Sequence, residues 1–186
     1  MKKFEAQPSE ALYPAPVVLV SSIDQSTKKG NIITIAWCGV VCSAPPLISV
    51  SIRPGRFSHK LIEETGDFVI NIPSKEMLMK VDLCGVRSGR DTDKFKACNF
   101  TAAPSSKVTS PRIEECPVNI ECKLKHVINL GAHDMFIGEV VSVHVDEHMI
   151  DKDGNIDYKK ASPFVYNQGE YWSLGDKIGS YGFSVQ

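Results

Sequence analysis

The chain has 186 residues, 42% hydrophobic and 23% charged, with 21 basic against 22 acidic side chains and a net charge of −1. This is the composition of an ordinary soluble globular protein, and it lacks the basic excess that a nucleic-acid partner requires. No apolar run reaches the roughly 18 residues that span a bilayer, and Lys2-Lys3 has no apolar stretch after it as a signal peptide would, so the expected location is the cytoplasm, away from membranes.

The length fits one domain, 1–186, with residues 1–12 and 172–186 as peripheral arms. Val17 to Ile23 is a continuous, β-branched apolar run of strand length. Asp24 to Gly30 is polar and ends in a turn signal, which predicts a hairpin into the next strand. Alternation over Asn31 to Cys38 puts Ile33, Ile35 and Trp37 on one face and Ile32, Thr34, Ala36 and Cys38 on the other. After Ser43-Ala44-Pro45-Pro46, Leu47 to Arg53 splits again: Ile48, Val50 and Ile52 against Ser49, Ser51 and Arg53. Two readings fit a face of small hydroxyls. It belongs to a half-exposed antiparallel strand, or it leaves room for something flat that the hydroxyls hydrogen-bond.

Arg53-Pro54-Gly55-Arg56 then leads into a helix, with Ser58 as the expected N-cap, Phe57 and Ile62 as a staple, and Gly66 as the stop. Free N–H groups at such a start favour an anion. Arg53 and Arg56 lie just before it, and arginine makes charge-assisted bonds to phosphate worth about 1.5–3 kcal/mol each. Asp67 to Ile72 is a short strand. Pro73-Ser74 is expected to cap a second helix ending at Gly85. Gly85 to Asp91 is expected to be a mobile loop able to close over a ligand, with Asp91 capping a short turn that carries Lys94 and Phe95. That loop lacks the Lys-Ser/Thr of a phosphate-binding P-loop.

Residues 101–115 are expected to connect. Val118 to Val127 alternates, with Val118, Ile120, Cys122, Leu124 and His126 facing the core and Asn119, Glu121, Lys123 and Lys125 facing out. Gly131-Ala132-His133-Asp134 turns into a strand over Met135 to Val145, Asp151 to Asn155 is a turn, and Phe164 to Ser173 contains a last short strand. The glycine-rich ending is an arm expected to lean on a second subunit. Strands, one helical block, then strands is not βαβ alternation. The expected fold is mainly β with helical insertions, a mostly antiparallel barrel.

Two motifs mislead. His144-Val-Asp-Glu-His148 has the inverted zinc-protease spacing, but its valine-rich flank is a strand, on which residues i and i+4 are about 13 Å apart. Asp151-Lys-Asp-Gly154 is a calcium-loop fragment whose glycine comes too early and whose closing Glu is absent. No metal is expected. The six cysteines match no metal or redox pattern and are expected to be free thiols.

NIITIAW, SAPPLISVSIRPGRFSHKLI, SGRDTDKF and GAHDMFIGEVV together resemble the flavin reductase family of FMN-binding split β-barrels, over roughly Tyr13 to Val145, and look closest to its flavoredoxin-like and ferric-reductase-like members. The resemblance implies a homodimer with FMN near the interface. It implies Thr34, Ala36, Trp37 and Cys38 along the flavin, Ser51, Ile52 and Arg53 beside its ring and ribityl chain, and Arg53, Ser58 and His59 around the phosphate with help from Arg56. Lys94 would approach the ring, and His133 would lie on the open side where a nicotinamide stacks. From the residues alone, His133 reads equally well as a turn residue capping a strand. Ser51 stands where ferric-reductase-like members carry a cysteine, which weakens iron reduction as the activity.

The implied activity is hydride transfer from NAD(P)H, as the small-molecule electron donor, to FMN and onward transfer to free flavin, an iron chelate or a redox partner protein. Two alternatives stand beside it: a flavoredoxin-like carrier reduced by another protein, and a β-barrel binding module with no redox role.

Overall fold

The computed structural model describes residues 1–185. Twelve strands and three short α-helices succeed one another: β1 (Ala15–Pro16), β2 (Val18–Ile23), β3 (Gly30–Ile35), β4 (Cys38–Ser43), β5 (Pro46–Ile52), α1 (Phe57–Thr65), β6 (Asp67–Ile72), α2 (Leu78–Val86), α3 (Lys94–Ala97), β7 (Ala102–Ala103), β8 (Arg112–Ile113), β9 (Val118–Asn129), β10 (Asp134–Val145), β11 (Phe164–Asn167) and β12 (Glu170–Ser173). Seven of them form one antiparallel sheet in the order β3-β2-β6-β9-β10-β5-β4. β3 and β4 are consecutive in sequence yet stand at opposite edges. The apolar run expected to continue to Cys38 breaks at Ala36-Trp37; the Ser51 N–H donates to the Trp37 carbonyl (2.9 Å), extending the β4–β5 ladder by one pair, while Ile33 and Ile35 of β3 meet Val50 and Ile52 of β5 in one barrel interior. An open edge would leave such groups unpaired.

β2 is buried on both faces, which is why it reads as an unbroken apolar run. Val18 and Val20 enter the barrel interior with Ile33, Ile35, Phe68 and Phe136. Val17 and Leu19 face a second core, under α2 and α3, with Ile32, Val81, Phe95 and Phe164. The expected hairpin between β2 and β3 and the two-faced pattern of β5 are both present.

Several local expectations are corrected. The N-cap of α1 is Arg56, held extended (φ −76°, ψ 140°) after the Pro-Gly turn, and no side chain caps it. Ser58 lies inside the helix, where its buried hydroxyl accepts from Asn31 Nδ2 (2.7 Å). Gly66 does end α1, in the left-handed region (φ 69°). A 3-10 turn over Lys75–Met77 precedes α2, and α2 runs one residue past Gly85, which packs on Thr34, 3.3 Å from where a Cβ would stand. Asp93, not Asp91, caps α3, accepting from the Lys96 N–H. Residues 101–115 hold the β7–β8 ladder, and the last strand is a hairpin, β11–β12, turning on Gln168 and Gly169.

On β9 the outward assignment of Asn119 and Glu121 is reversed: both are buried, while His126 is exposed. The loop over residues 104–111 covers that face and needs acceptors. Asp67 accepts from the Thr109 and Ser110 N–H groups and the Thr109 hydroxyl. Glu121 accepts from the Ser106 and Lys107 N–H groups (2.8 and 2.7 Å), with His144 Nε2 at 2.6 Å. His144 of the zinc-like motif is thus engaged with a carboxylate.

Burial pushes the Glu121 carboxyl up, but the Ser106 and Lys107 N–H donors, then His144 and the Ser106 hydroxyl, outweigh it and hold it below the usual range. A depressed carboxyl stabilises the fold above the unfolded value, about 4.3, and loses that contribution as pH falls through the folded one. Glu121→Gln should lower stability at pH 7 by about 1–3 kcal/mol. In urea unfolding the gap to the parent should close as pH falls toward about 3; a gap independent of pH would show that the carboxylate's charge is not what matters.

Candidate active site

The two-residue crossing between β3 and β4 opens a cleft of about 430 Å³. One wall is the end of β3, with Thr34, Ala36 and Trp37. The facing wall is the end of β5, with Ser51, Ile52 and Arg53. Thr34 is fixed by donating its hydroxyl to the Val81 carbonyl (2.5 Å) in α2. His133, on the β9–β10 turn, stacks on Trp37 with ring centres 6.1 Å apart and planes at 20°. Arg53 Nε donates to His133 Nε2 (3.4 Å). The turn is shaped by Gly131 (φ 98°) and closed by the Leu130 N–H on the His133 carbonyl. Tyr166 and Tyr171, from the β11–β12 hairpin, complete the cleft.

At Ile33 and Arg56 the cleft meets a smaller basin of about 180 Å³. The basin gathers Arg56, Arg87, Arg90 and Lys94 at the uncapped start of α1, with Ser58, Ser88, Gly55 and Gly89. Arg90 lies over the Phe57 ring (5.5 Å) and donates to the Gly55 carbonyl (3.0 Å). Lys94 is buried, and its Nζ donates to the carbonyls of Ile32 (2.6 Å) and Cys84 (2.7 Å), so one of its three N–H bonds remains for a ligand. Burial lowers its pKa to about 8, with Cys84 pulling it up and Arg56 pushing it further down.

The sequence-derived residues therefore divide into four groups. Thr34, Ala36, Trp37, Ser51, Ile52, Arg53, Arg56 and His133 share the cleft. Ser58 and Lys94 line the basin, Ser58 with its hydroxyl already engaged by Asn31. Cys38 lies beyond Trp37, on a second chamber of about 740 Å³ walled by residues 9–16, and burial pushes its thiol up to about 11. His59 lines none of these hollows. It is buried between Asp134 (Nε2 to Oδ2, 2.7 Å) and Glu63 (Nδ1 to Oε2, 3.3 Å), edge-on to Phe136, and so ties α1 to the first residue of β10, next to His133.

Sequence reasoning left out Arg87, Arg90, Tyr166 and Tyr171. The arginines had a signal, two cations in a loop already read as ligand-covering. The tyrosines come from a hairpin remote in sequence and had none.

A family model described as a flavin reductase like domain matches residues 10–175. Flavoredoxin of Desulfovibrio vulgaris (Miyazaki F) is a structural neighbour with a TM-score of 0.91 and 36% identity, covering 100% of this chain and 99% of its own. An FMN-binding protein from Thermus thermophilus, solved with bound 1-cyclohex-2-enone, has a TM-score of 0.81 and 26% identity, over 97% of this chain and 99% of its own. A protein of Archaeoglobus fulgidus, described only as uncharacterized, is 34% identical over 150 residues, 81% of this chain and 83% of that one.

The basin depends on close backbone approach at Gly89, where a Cβ would stand 1.9 Å from Asn31 Oδ1 and 3.0 Å from Phe57. Gly89→Ala should cost about 1–3 kcal/mol, read by thermal unfolding. Gly55→Ala, with nothing within 4 Å, is the matched substitution and should cost far less; equal costs would mean that packing at residue 89 is not tight.

Proposed function

The chain belongs to the flavin reductase family, and from that premise we propose that it is an FMN-dependent oxidoreductase that accepts hydride from NAD(P)H and passes electrons to free flavin, an iron chelate or a redox partner protein. The observation that carries this reading is a cleft lined by aromatic and small side chains standing next to a basin of four cations at a helix start, the two sharing Ile33 and Arg56. A planar ring joined by a chain to a phosphate matches that shape and charge. Arg56, Arg87, Arg90 and Lys94, with the free N–H groups of α1, would hold the phosphate. Thr34, Ala36, Trp37 and Ser51 would flank the ring.

FMN, when bound, supplies the two-electron chemistry. The protein's part is placement and field. Trp37 and His133 form an aromatic lip on the exposed side of the cleft, where a nicotinamide ring would stack. Arg53 holds His133 in orientation and places a cation beside the cleft, where it would attract negative charge on a bound ring.

A homodimer belongs to the same reading. Val40 and Val41 on β4, and Val127, Ile128 and Leu130 at the β9–β10 turn, are exposed apolar side chains that a second subunit would cover. A second reading, an electron carrier reduced by another protein, is favoured by the likeness to flavoredoxin.

Anaerobic titration of the FMN-loaded protein separates the two. Bleaching by NADH or NADPH is expected; loading with FMN but no bleaching would favour the carrier. Arg87→Gln with Arg90→Gln should weaken FMN at least tenfold while leaving riboflavin nearly unchanged, since only the phosphate is lost between the two ligands. Equal losses would contradict a phosphate seat.

Lys94 adds a pH signature. Its ammonium is the form that binds an anion, and its pKa is depressed to about 8, so the charge is lost as pH rises through that value. The ratio of FMN to riboflavin affinity should therefore fall between about pH 7 and about pH 9, and Lys94→Met should flatten it. A ratio that stays flat in the parent would exclude Lys94 from the seat.

A further inference from the structure

Cys84 lies in the last turn of α2, and Cys98 is the residue that ends α3. Their Sγ atoms stand 3.6 Å apart in the core beneath the helices. The thirteen residues between them, 85–97, carry Arg87, Arg90 and Lys94, three of the four cations of the basin. Lys94 also donates to the Cys84 carbonyl, so the pair stands directly behind the basin. A disulfide has an S–S length of about 2.05 Å. Closing the pair therefore needs an approach of about 1.5 Å, within reach of side-chain rotation and a small shift of one helix end.

We infer that Cys84 and Cys98 are a modification site, oxidised together to a disulfide by a small peroxide, and that this cross-link fastens the segment carrying the phosphate seat. The sulfur of one residue, as thiolate, attacks a peroxide oxygen. The O–O bond breaks, giving a sulfenic acid, and the released hydroxide takes up the thiol's proton as water. The second sulfur displaces hydroxide from the sulfenic acid, the S–S bond forms, and the second proton leaves with that hydroxide as water. Two thiols and one hydrogen peroxide thus become one disulfide and two waters, with two electrons passing from sulfur to oxygen.

The oxidation is slow. Burial first, and Cys98 beside it next, push the Cys84 thiol up, so thiolate is scarce while α2 and α3 are closed. The oxidant reaches the pair only when α2 and α3 part at the ends that carry the two sulfurs. Once formed, the bond ties the ends of α2 and α3 together and restricts their parting. Two consequences follow. Closing a loop of this length removes conformations from the unfolded chain and raises the melting temperature by several degrees. It also slows release of whatever the basin holds; this second consequence rests on the FMN reading above.

The remaining cysteines set the specificity of the test. Cys116 packs in the same core, Cys122 lies inside the barrel, and Cys38 and Cys42 are half-buried on β4. The full chain, with and without FMN, is treated with millimolar hydrogen peroxide. Free thiols are counted, and the linked peptides are mapped by mass spectrometry. The count should fall from six to four, with a Cys84–Cys98 peptide, and a thiol reductant should restore it. Cys116→Ser should still form the bond; Cys84→Ala and Cys98→Ala should not. FMN release on dilution, read by recovered flavin fluorescence, should slow several-fold in the oxidised parent and not in either alanine variant.

Six unchanged thiols, or a bond that uses Cys116, would overturn the site, and wild-type protein alone gives that answer even if a variant fails to fold. A Cys84–Cys98 bond with unchanged FMN release would overturn the link to the phosphate seat. Absence of any FMN binding would strike the proposed function instead, and leaves the thiol count to decide the modification.

Discussion

The crossing at Ala36-Trp37 is the constraint on which the site depends. β3 pairs with β2 and β4 pairs with β5, so two residues must carry the chain from one edge of the seven-stranded sheet to the other. They manage it because the sheet curls until β3 approaches β5, so that Ile33 and Ile35 share one interior with Val50 and Ile52. A closed barrel has no room for a continuous ladder at that point. The gap between the ends of β3 and β5 is the cleft, and Trp37 stands half-exposed at its rim.

Charge inside the molecule is handled in three ways. Glu121 and Asp67 are acceptors for a loop that folds over them. Asp134 and Glu63 are both engaged by the His59 ring, which links α1 to the start of β10. Lys94 is different. Its buried ammonium has two carbonyls, no carboxylate within ion-pair reach among the described residues, and a depressed pKa. A buried cation held by dipoles alone is costly, and such groups gather at functional sites. An anion in the basin would offset that cost.

Much of this was legible in the chain. Period-two alternation on β5, the unbroken apolar run of β2 and the turn signals around them gave the barrel's antiparallel frame, and the family motifs gave its closure. The failures share a cause. Ser58 was read as a cap from local preference, but Asn31, 27 residues earlier, claims its hydroxyl. Asn119 and Glu121 alternate like solvent-facing residues, but the loop over residues 104–111 covers them. The resemblance implies His59 near the phosphate, and its ring turns inward to Asp134. Each depends on a partner far away in sequence, which no local pattern contains. The two tyrosines of the cleft fail for the same reason.

The most direct test of the account is where a flavin ring sits. The chain has two tryptophans, and Trp172→Phe leaves Trp37 as the sole indole. Titrating that variant, stripped of flavin, with FMN should quench Trp37 emission in a saturable way at one FMN per chain. Binding of FMN that leaves Trp37 emission unchanged would place the ring outside the cleft and contradict the account.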